Sequence, residues 1–338
     1  RNTGVTVASL KAAPQTRYLE KKARLMRLSG HPYRSTCSIL FTLALLLAWE
    51  FSSAGTLRER LVERRSTDQA QEVAIGEPSE RLALAGGMRL LKDVPYANES
   101  KQRMDVYLPR QPAGAPVIFM VHGGAWRLGD KDARAVVENK VARWVPQGFI
   151  FISTNYRLLP DTAPLEQAED IARALATAQA KAASWGGDPT RFILMGHSAG
   201  AHLVALVATS PEIVRRAGAK PWLGSVLLDS AALDVVTIMQ ARHARFYDRA
   251  FGKDPAYWRA VSPVHGLSEN TAPLLAVCSS QRSESCPQAS RFVEKATALG
   301  VRASVLQQDR SHQEINQQLG LANPYTDAVE VFMGSLSQ

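Results

Sequence analysis

The 338-residue chain predicts an α/β fold, a mostly parallel central sheet with helices on both faces. Three observations carry that expectation. Short, continuous apolar runs recur along the body. A segment of helical period follows two of them. Strand and helix patterns then alternate to the end. Unbroken apolar runs are what a parallel strand requires when both of its faces are covered.

The elements follow in order. Met88–Val94 and Arg103–Leu108 read as an early hairpin or meander. Pro116–Val121 is an apolar run that ends at His122-Gly123-Gly124, and Gly148–Ser153 is a second run, followed by Tyr156-Arg157-Leu158. Between Pro164 and Trp185, apolar residues recur at Leu165, Ala168, Ile171, Ala172, Leu175, Ala178 and Ala182, and Gly186-Gly187 ends that helix. A strand at Arg191–Met195, a tight turn and a helix at Ala199–Thr209 come next. Ser225–Leu228, Pro273–Val277 and Ala303–Gln307 read as further strands, and a last helix lies within Pro324–Leu336.

Composition excludes several classes. The chain is 46% hydrophobic and 21% charged, which is neither collagenous, low-complexity nor disulfide-dense. Its net charge of +9 resembles a nucleic-acid signal until the charges are located. Residues 1–54 hold eight Lys/Arg against two Glu, while the other 284 residues hold 32 basic and 29 acidic groups. The excess lies in the leader, so no nucleic-acid partner is expected.

Cys37–Trp49 is a largely apolar, uncharged run with basic residues before it and Ser52-Ser53-Ala54 after it. Residues 26–54 therefore read as a secretory signal cleaved after Ala54. An uncleaved anchor or a core helix are the alternatives, but a span needs about 20 apolar residues and Glu50 interrupts this one. Translation is expected to start at Met26, with residues 1–25 as an upstream extension. Residues 55–80 read as a polar N-terminal segment and 81–338 as the α/β domain. The product is expected in the periplasm or secreted, touching the membrane only through the leader unless that leader stays uncleaved. Two cysteines then survive, Cys278 and Cys286. An even pair on an exported chain points to one disulfide, with two buried free thiols as the alternative.

Three pieces of chemistry stand in an informative order. Gly196-His197-Ser198-Ala199-Gly200 falls between a predicted strand and a predicted helix. A nucleophilic Ser must be held clear of the sheet on a sharp turn, which only small flanking residues permit. His122-Gly123-Gly124-Ala125-Trp126 ends an earlier strand. Acyl transfer places negative charge on a carbonyl oxygen, which pre-aimed backbone N–H groups stabilise. Gly123, Gly124 and Ala199 are the expected donors. His312 follows the last strand, and the chain order Ser, acid, His makes it the expected general base.

On these motifs the chain resembles an α/β-hydrolase of the esterase/lipase type, with an HGG oxyanion loop and a GxSxG nucleophile elbow. The resemblance runs from about Met88 to Leu336 and includes Ala183–Pro189 and Tyr257–Pro263. It implies hydrolysis of small-molecule carboxylic esters through an acyl-enzyme, with no metal and no cofactor. Relatives with this loop include carbohydrate-acetyl and feruloyl esterases and arylformamidases. The family normally carries its acid, usually Asp, after strand seven. Here the loop Cys278–Cys286 has Glu284 as its sole carboxylate. Glu284 is therefore the expected orienting acid, braced by the disulfide, with Asp309, Asp229 and Asp234 as rivals. Tyr156-Arg157-Leu158 and the aromatic-rich segment from Thr237 to Trp258 are expected either to line the pocket or to pack on themselves. An amidase or formamidase with the same machinery, or a catalytically silent binding protein, are the alternative functions.

Overall fold

Eight strands form one sheet in the computed structural model, which describes residues 87–337. The leader, the 55–80 segment and the first residues of the expected domain lie outside the described residues. In chain order the strands are β1 (Arg89–Pro95), β2 (Arg103–Leu108), β3 (Ala115–Val121), β4 (Ile150–Thr154), β5 (Gly187–His197), β6 (Gly224–Leu228), β7 (Leu274–Ser279) and β8 (Ala303–Gln308). The helices are α1 (Arg134–Trp144), α2 (Pro164–Lys181), α3 (Ala199–Ala208), α4 (Pro211–Ala217), α5 (Val235–Gln240), α6 (Arg245–Phe251), α7 (Pro255–Ala260), α8 (Pro263–Gly266), α9 (Ser285–Ala298), α10 (His312–Gln317) and α11 (Pro324–Gly334).

The sheet order is β1-β2-β4-β3-β5-β6-β7-β8. β1 and β2 are antiparallel to each other, as is β2 to β4, and every other pairing is parallel. The early meander and the later parallel sheet both match the expectation from sequence. Such a sheet gathers the ends of β3, β5, β6, β7 and β8 along one edge, where loops can carry chemistry.

Strand periodicity builds two cores from one sheet. In β3, Val117, Phe119 and Val121 face one core while Ile118 and Met120 face the other. β5 repeats the split, with Phe192 and Leu194 on one side and Ile193 and Met195 on the other. α2 and α3 cover the first face through Ile171, Leu175, Leu203 and Val204. α1 and α11 cover the second through Val137, Val141, Trp144, Tyr325 and Val329. Each such buried side chain stabilises by about 1.5–3 kcal/mol. The layers hold the sheet rigid, so its edge can fix side chains brought from distant parts of the chain.

α10 is anchored to the second face. Lys140 of α1 is buried and donates to Asn316 O at 2.6 Å and Asn316 Oδ1 at 2.9 Å. Burial pulls its ammonium down to about 7. Ser311 caps the helix in a reciprocal box with Glu314. Ile315 buries beneath it and Tyr325 donates to Ile315 O at 3.0 Å. The first residue of that helix is His312.

Candidate active site

The turn after β5 holds Ser198 at φ 56° and ψ −118°, a region that L side chains rarely adopt. Close packing enforces it. A Cβ on Gly196 would fall on the Gly200 carbonyl, and one on Gly200 would fall on the carbonyls of Val121 and His122. Strand and helix can therefore meet only if both positions are glycine. Ser198 N–H donates to Leu228 O at 2.9 Å, which ties the turn to β6. Ala199 opens α3, where the first N–H groups have no partner within the helix.

The loop after β3 lies against that turn. A Cβ on Gly123 would stand 3.0 Å from Ser198 Cβ and 2.9 Å from His197 O. Gly124, Ala125 and Trp126 have φ values of 124°, 49° and 61°, so the backbone bends left-handed through three consecutive residues. Side chains pin it there. Trp126 Nε1 donates to His202 Nδ1 at 3.1 Å, and His202 Nε2 donates to Val261 O at 2.8 Å. Burial lowers His202 to about 4, which keeps it neutral for both bonds. His122 donates through Nδ1 to Gly123 O at 2.7 Å and is likewise lowered by burial to about 4. The structure thus brings Gly123 against Ser198, which Ala199 follows directly, and Gly124 comes next in the same loop.

His312 arrives from the end of β8. Its ring packs against His197, with centroids 4.5 Å apart, and His197 Nε2 donates to His312 O at 3.0 Å. Burial, then the neighbouring His312, hold His197 well below the usual imidazole range, so it acts as a neutral strut. Since His197 adjoins Ser198, the imidazole of His312 is set beside the elbow.

The carboxylate that meets His312 is not the expected one. The atom that an orienting carboxylate must hold, His312 Nδ1, donates to Asp229 Oδ2 at 2.5 Å. Glu284 is exposed at the N-terminus of α9, because the loop after β7 turns into that helix one residue later. Asp229 follows β6 directly, adopts φ 56° and has no exposed surface. Burial works against its ionisation, but bonds from His312 and Ser285 and the charge of Arg282 hold it far below the usual carboxylate range. Ser279 N–H donates to Oδ1 at 2.8 Å and Ser285 donates to the same oxygen. Arg282 Nη1 donates to Oδ2 at 2.8 Å. The other rivals are occupied elsewhere: Asp234 caps α5 by accepting from Thr237, and Asp309 accepts from Gln281 Nε2 at 3.1 Å.

Cys278 and Cys286 form the expected disulfide, joining the end of β7 to the first turn of α9. It encloses Ser279, Arg282 and Ser285, so the bridge braces the groups that hold the acid and not the acid itself. Tyr156 and Arg157 are supports: Tyr156 donates to His122 O at 3.1 Å, and Arg157 makes a two-point pair with Asp170 at 2.8 Å each. Phe246, Tyr247 and Phe251 pack on Trp126, with centroids 4.8–6.5 Å away. The aromatic segment therefore closes over the glycine loop. Among the described residues no group of three or more His, Cys, Asp and Glu is arranged to hold a metal ion.

The BD-FAE family model matches residues 104–290. A probable isoprenylcysteine alpha-carbonyl methylesterase of Oryza sativa subsp. japonica is 33% identical over 118 residues, 35% of this chain and 28% of that protein. Esterase LipC of Mycobacterium tuberculosis is 27% identical over 227 residues, 61% of this chain and 55% of that protein. The chain thus spans from about a quarter to just over half of the length of these relatives. Esterase B from Lactobacillus rhamnosis superposes with a TM-score of 0.61 at 19% identity, covering 86% of this chain and 96% of that one. EstE1, a carboxylesterase cloned from a metagenomic library, gives 0.58 at 21%, covering 83% and 96%.

Proposed function

Because the chain belongs to the BD-FAE family and has the α/β-hydrolase fold, we propose that it is an exported serine hydrolase of small carboxylic esters. Ser198 is the nucleophile, His312 the general base and then acid, and Asp229 the orienting acid. Gly123, Gly124 and Ala199 supply the oxyanion N–H groups. The observation that carries this reading is the Asp229–His312 bond at 2.5 Å beside a Ser in the φ-positive elbow.

The mechanism follows from the geometry. With Nδ1–H given to Asp229, the other ring nitrogen of His312 is the basic one, the tautomer that accepts the Ser198 proton. The hydroxyl oxygen attacks the ester carbonyl and the carbonyl electrons move onto oxygen, where the backbone N–H groups stabilise them. His312 returns the proton to the leaving alcohol. A water then repeats the sequence on the acyl-Ser198 ester. Esterase names recur among the curated relatives, which favours esters over amides. Export rests on the leader pattern in residues 26–54.

Treatment with a fluorophosphonate probe tests the assignment. Wild-type protein is expected to label at one site, and Ser198→Ala to lose both the label and the turnover of short p-nitrophenyl esters. Wild-type protein that resists the probe would identify a binding protein instead. Comparing a p-nitrophenyl ester with an anilide separates esterase from amidase.

A further inference from the structure

Two donors, one of them a permanent cation, converge on one oxygen. Asp229 Oδ2 accepts from His312 Nδ1 at 2.5 Å and from Arg282 Nη1 at 2.8 Å, and this leaves the guanidinium nitrogen 2.9 Å from the imidazole nitrogen. Arg282 Nη1 also donates to Asp229 O at 3.0 Å, so two acceptors fix its position. A serine–histidine–acid relay has no need of a permanent cation at that point. When His312 takes the Ser198 proton, the new imidazolium lies against a permanent positive charge and shares its counter-ion with it.

We infer that Arg282 is a positioning residue that holds the Asp229 carboxylate in place and sets how readily His312 accepts a proton. The inference rests on the serine-hydrolase reading above. Like charges at contact distance disfavour the protonated ring, so Arg282 keeps the base unprotonated in more acidic solution than an acid–imidazole pair alone. The same effect makes the base weaker, a cost at neutral pH that is offset wherever the ester must be cleaved in acid.

The surroundings support that electrostatic reading. Burial first, then Arg282, push His312 down, against the upward pull of Asp229, and the net direction is down. From β5 the facing group is His197, which burial keeps neutral. From α1 it is Lys140, bonded to Asn316. On the segment of His312 itself, Arg310 binds Gln308 and Gln318, and Glu314 binds Ser311. Tyr247 is pushed up to about 12 by burial and Tyr325 is raised further, so both stay uncharged. Arg282 is the cation placed against the ring nitrogen that Asp229 holds.

The test compares Arg282→Gln, which keeps an N–H donor without charge, with Arg282→Lys, which keeps the charge. The readout is the pH profile of kcat/KM on a short p-nitrophenyl ester. In Arg282→Gln the acidic limb should move to higher pH, so that the ratio of activity at about pH 5.5 to that at about pH 8 falls about threefold or more below wild type. Arg282→Lys should keep the wild-type ratio within about twofold. An unmoved limb in Arg282→Gln, or an equal shift in both variants, would overturn the inference. Should the variants fail to fold, the ring of His312 can be followed by ¹⁵N NMR in wild-type protein. Titration at or above the ordinary histidine value would also overturn it. A wild type that takes no fluorophosphonate removes the hydrolase reading and this inference with it, whereas a labelled enzyme with an unmoved limb removes the Arg282 role alone.

Discussion

The Ser198 side of the site, between β3 and β5, is shaped chiefly by backbone packing, whereas the Asp229 side, between β6 and β7, is held chiefly by side chains. On the first side, Gly196 and Gly200 let α3 sit against the sheet, and Gly124 admits a bend that carries the loop beside Ser198. On the second, the carboxylate of Asp229 is caught by Ser279, Arg282 and Ser285 from one loop and by His312 from another. A backbone constraint is tied to residue type at one position, so it tolerates little change. A carboxylate held by several donors can be supplied from more than one strand end, so long as its oxygens reach the same imidazole.

The sharpest way to break this contrast is to neutralise the acid. Asp229→Asn should lower kcat by about 10³–10⁴-fold, as loss of the orienting carboxylate does in other serine hydrolases. Glu284→Gln, an exposed substitution, should stay within about twofold of wild type. Steady-state turnover of both variants decides the matter, and a reversed order would return the role to Glu284.

On the nucleophile side, Gly200→Ala forces a methyl group onto the Val121 and His122 carbonyls. Destabilisation near the upper end of overpacking, about 3 kcal/mol, is expected, seen as a melting temperature lower by several degrees. An unchanged melting curve would show that strand and helix can separate without cost.

Loss of the bridge acts on the opposite side. Cys278→Ser with Cys286→Ser should remove about 2.6 kcal/mol in the chain-entropy model. It should also lower kcat, because the donors to Asp229 lose their brace. Equal kcat with a lower melting temperature would separate the bridge from catalysis.

The smallest effect concerns acidity. As the proposed base, His312 must be unprotonated to act, and its proton affinity is depressed. Activity should therefore persist below the ordinary histidine value of about 6.5, as an acidic limb of kcat/KM would show.

This difference also explains what could be read from the sequence. Gly196, Ser198 and Gly200 sit within five residues, and the local turn needs all three, so the elbow was visible in a short window. Apolar runs located the strands to within a few residues, since both faces of the sheet are covered. α1 was less legible: its buried face includes Lys140, which interrupts an apolar stripe otherwise made by Val136, Val137, Val141 and Trp144. Asp229 was one rival among several, because nothing beside it in sequence marks it. Its signal lay at a distance, in Arg282: a cation where the loop after strand seven usually carries an acid calls for a carboxylate supplied from elsewhere.

β5 and β6 are adjacent in the ladder, with His197 paired to Leu228, and the Ser198 amide closes on Leu228 O. Ser198 and Asp229 thus each stand one residue beyond the same rung of one scaffold, while the imidazole rides on a six-residue helix fastened through Lys140, Tyr325 and a cap. Thermal breathing of that helix would draw His312 away and leave Ser198 and Asp229 in register. Amide exchange at Ile315 and Asn316 should consequently outpace exchange in the β5–β6 pair, and inactivation on gentle heating should be reversible while the sheet remains intact.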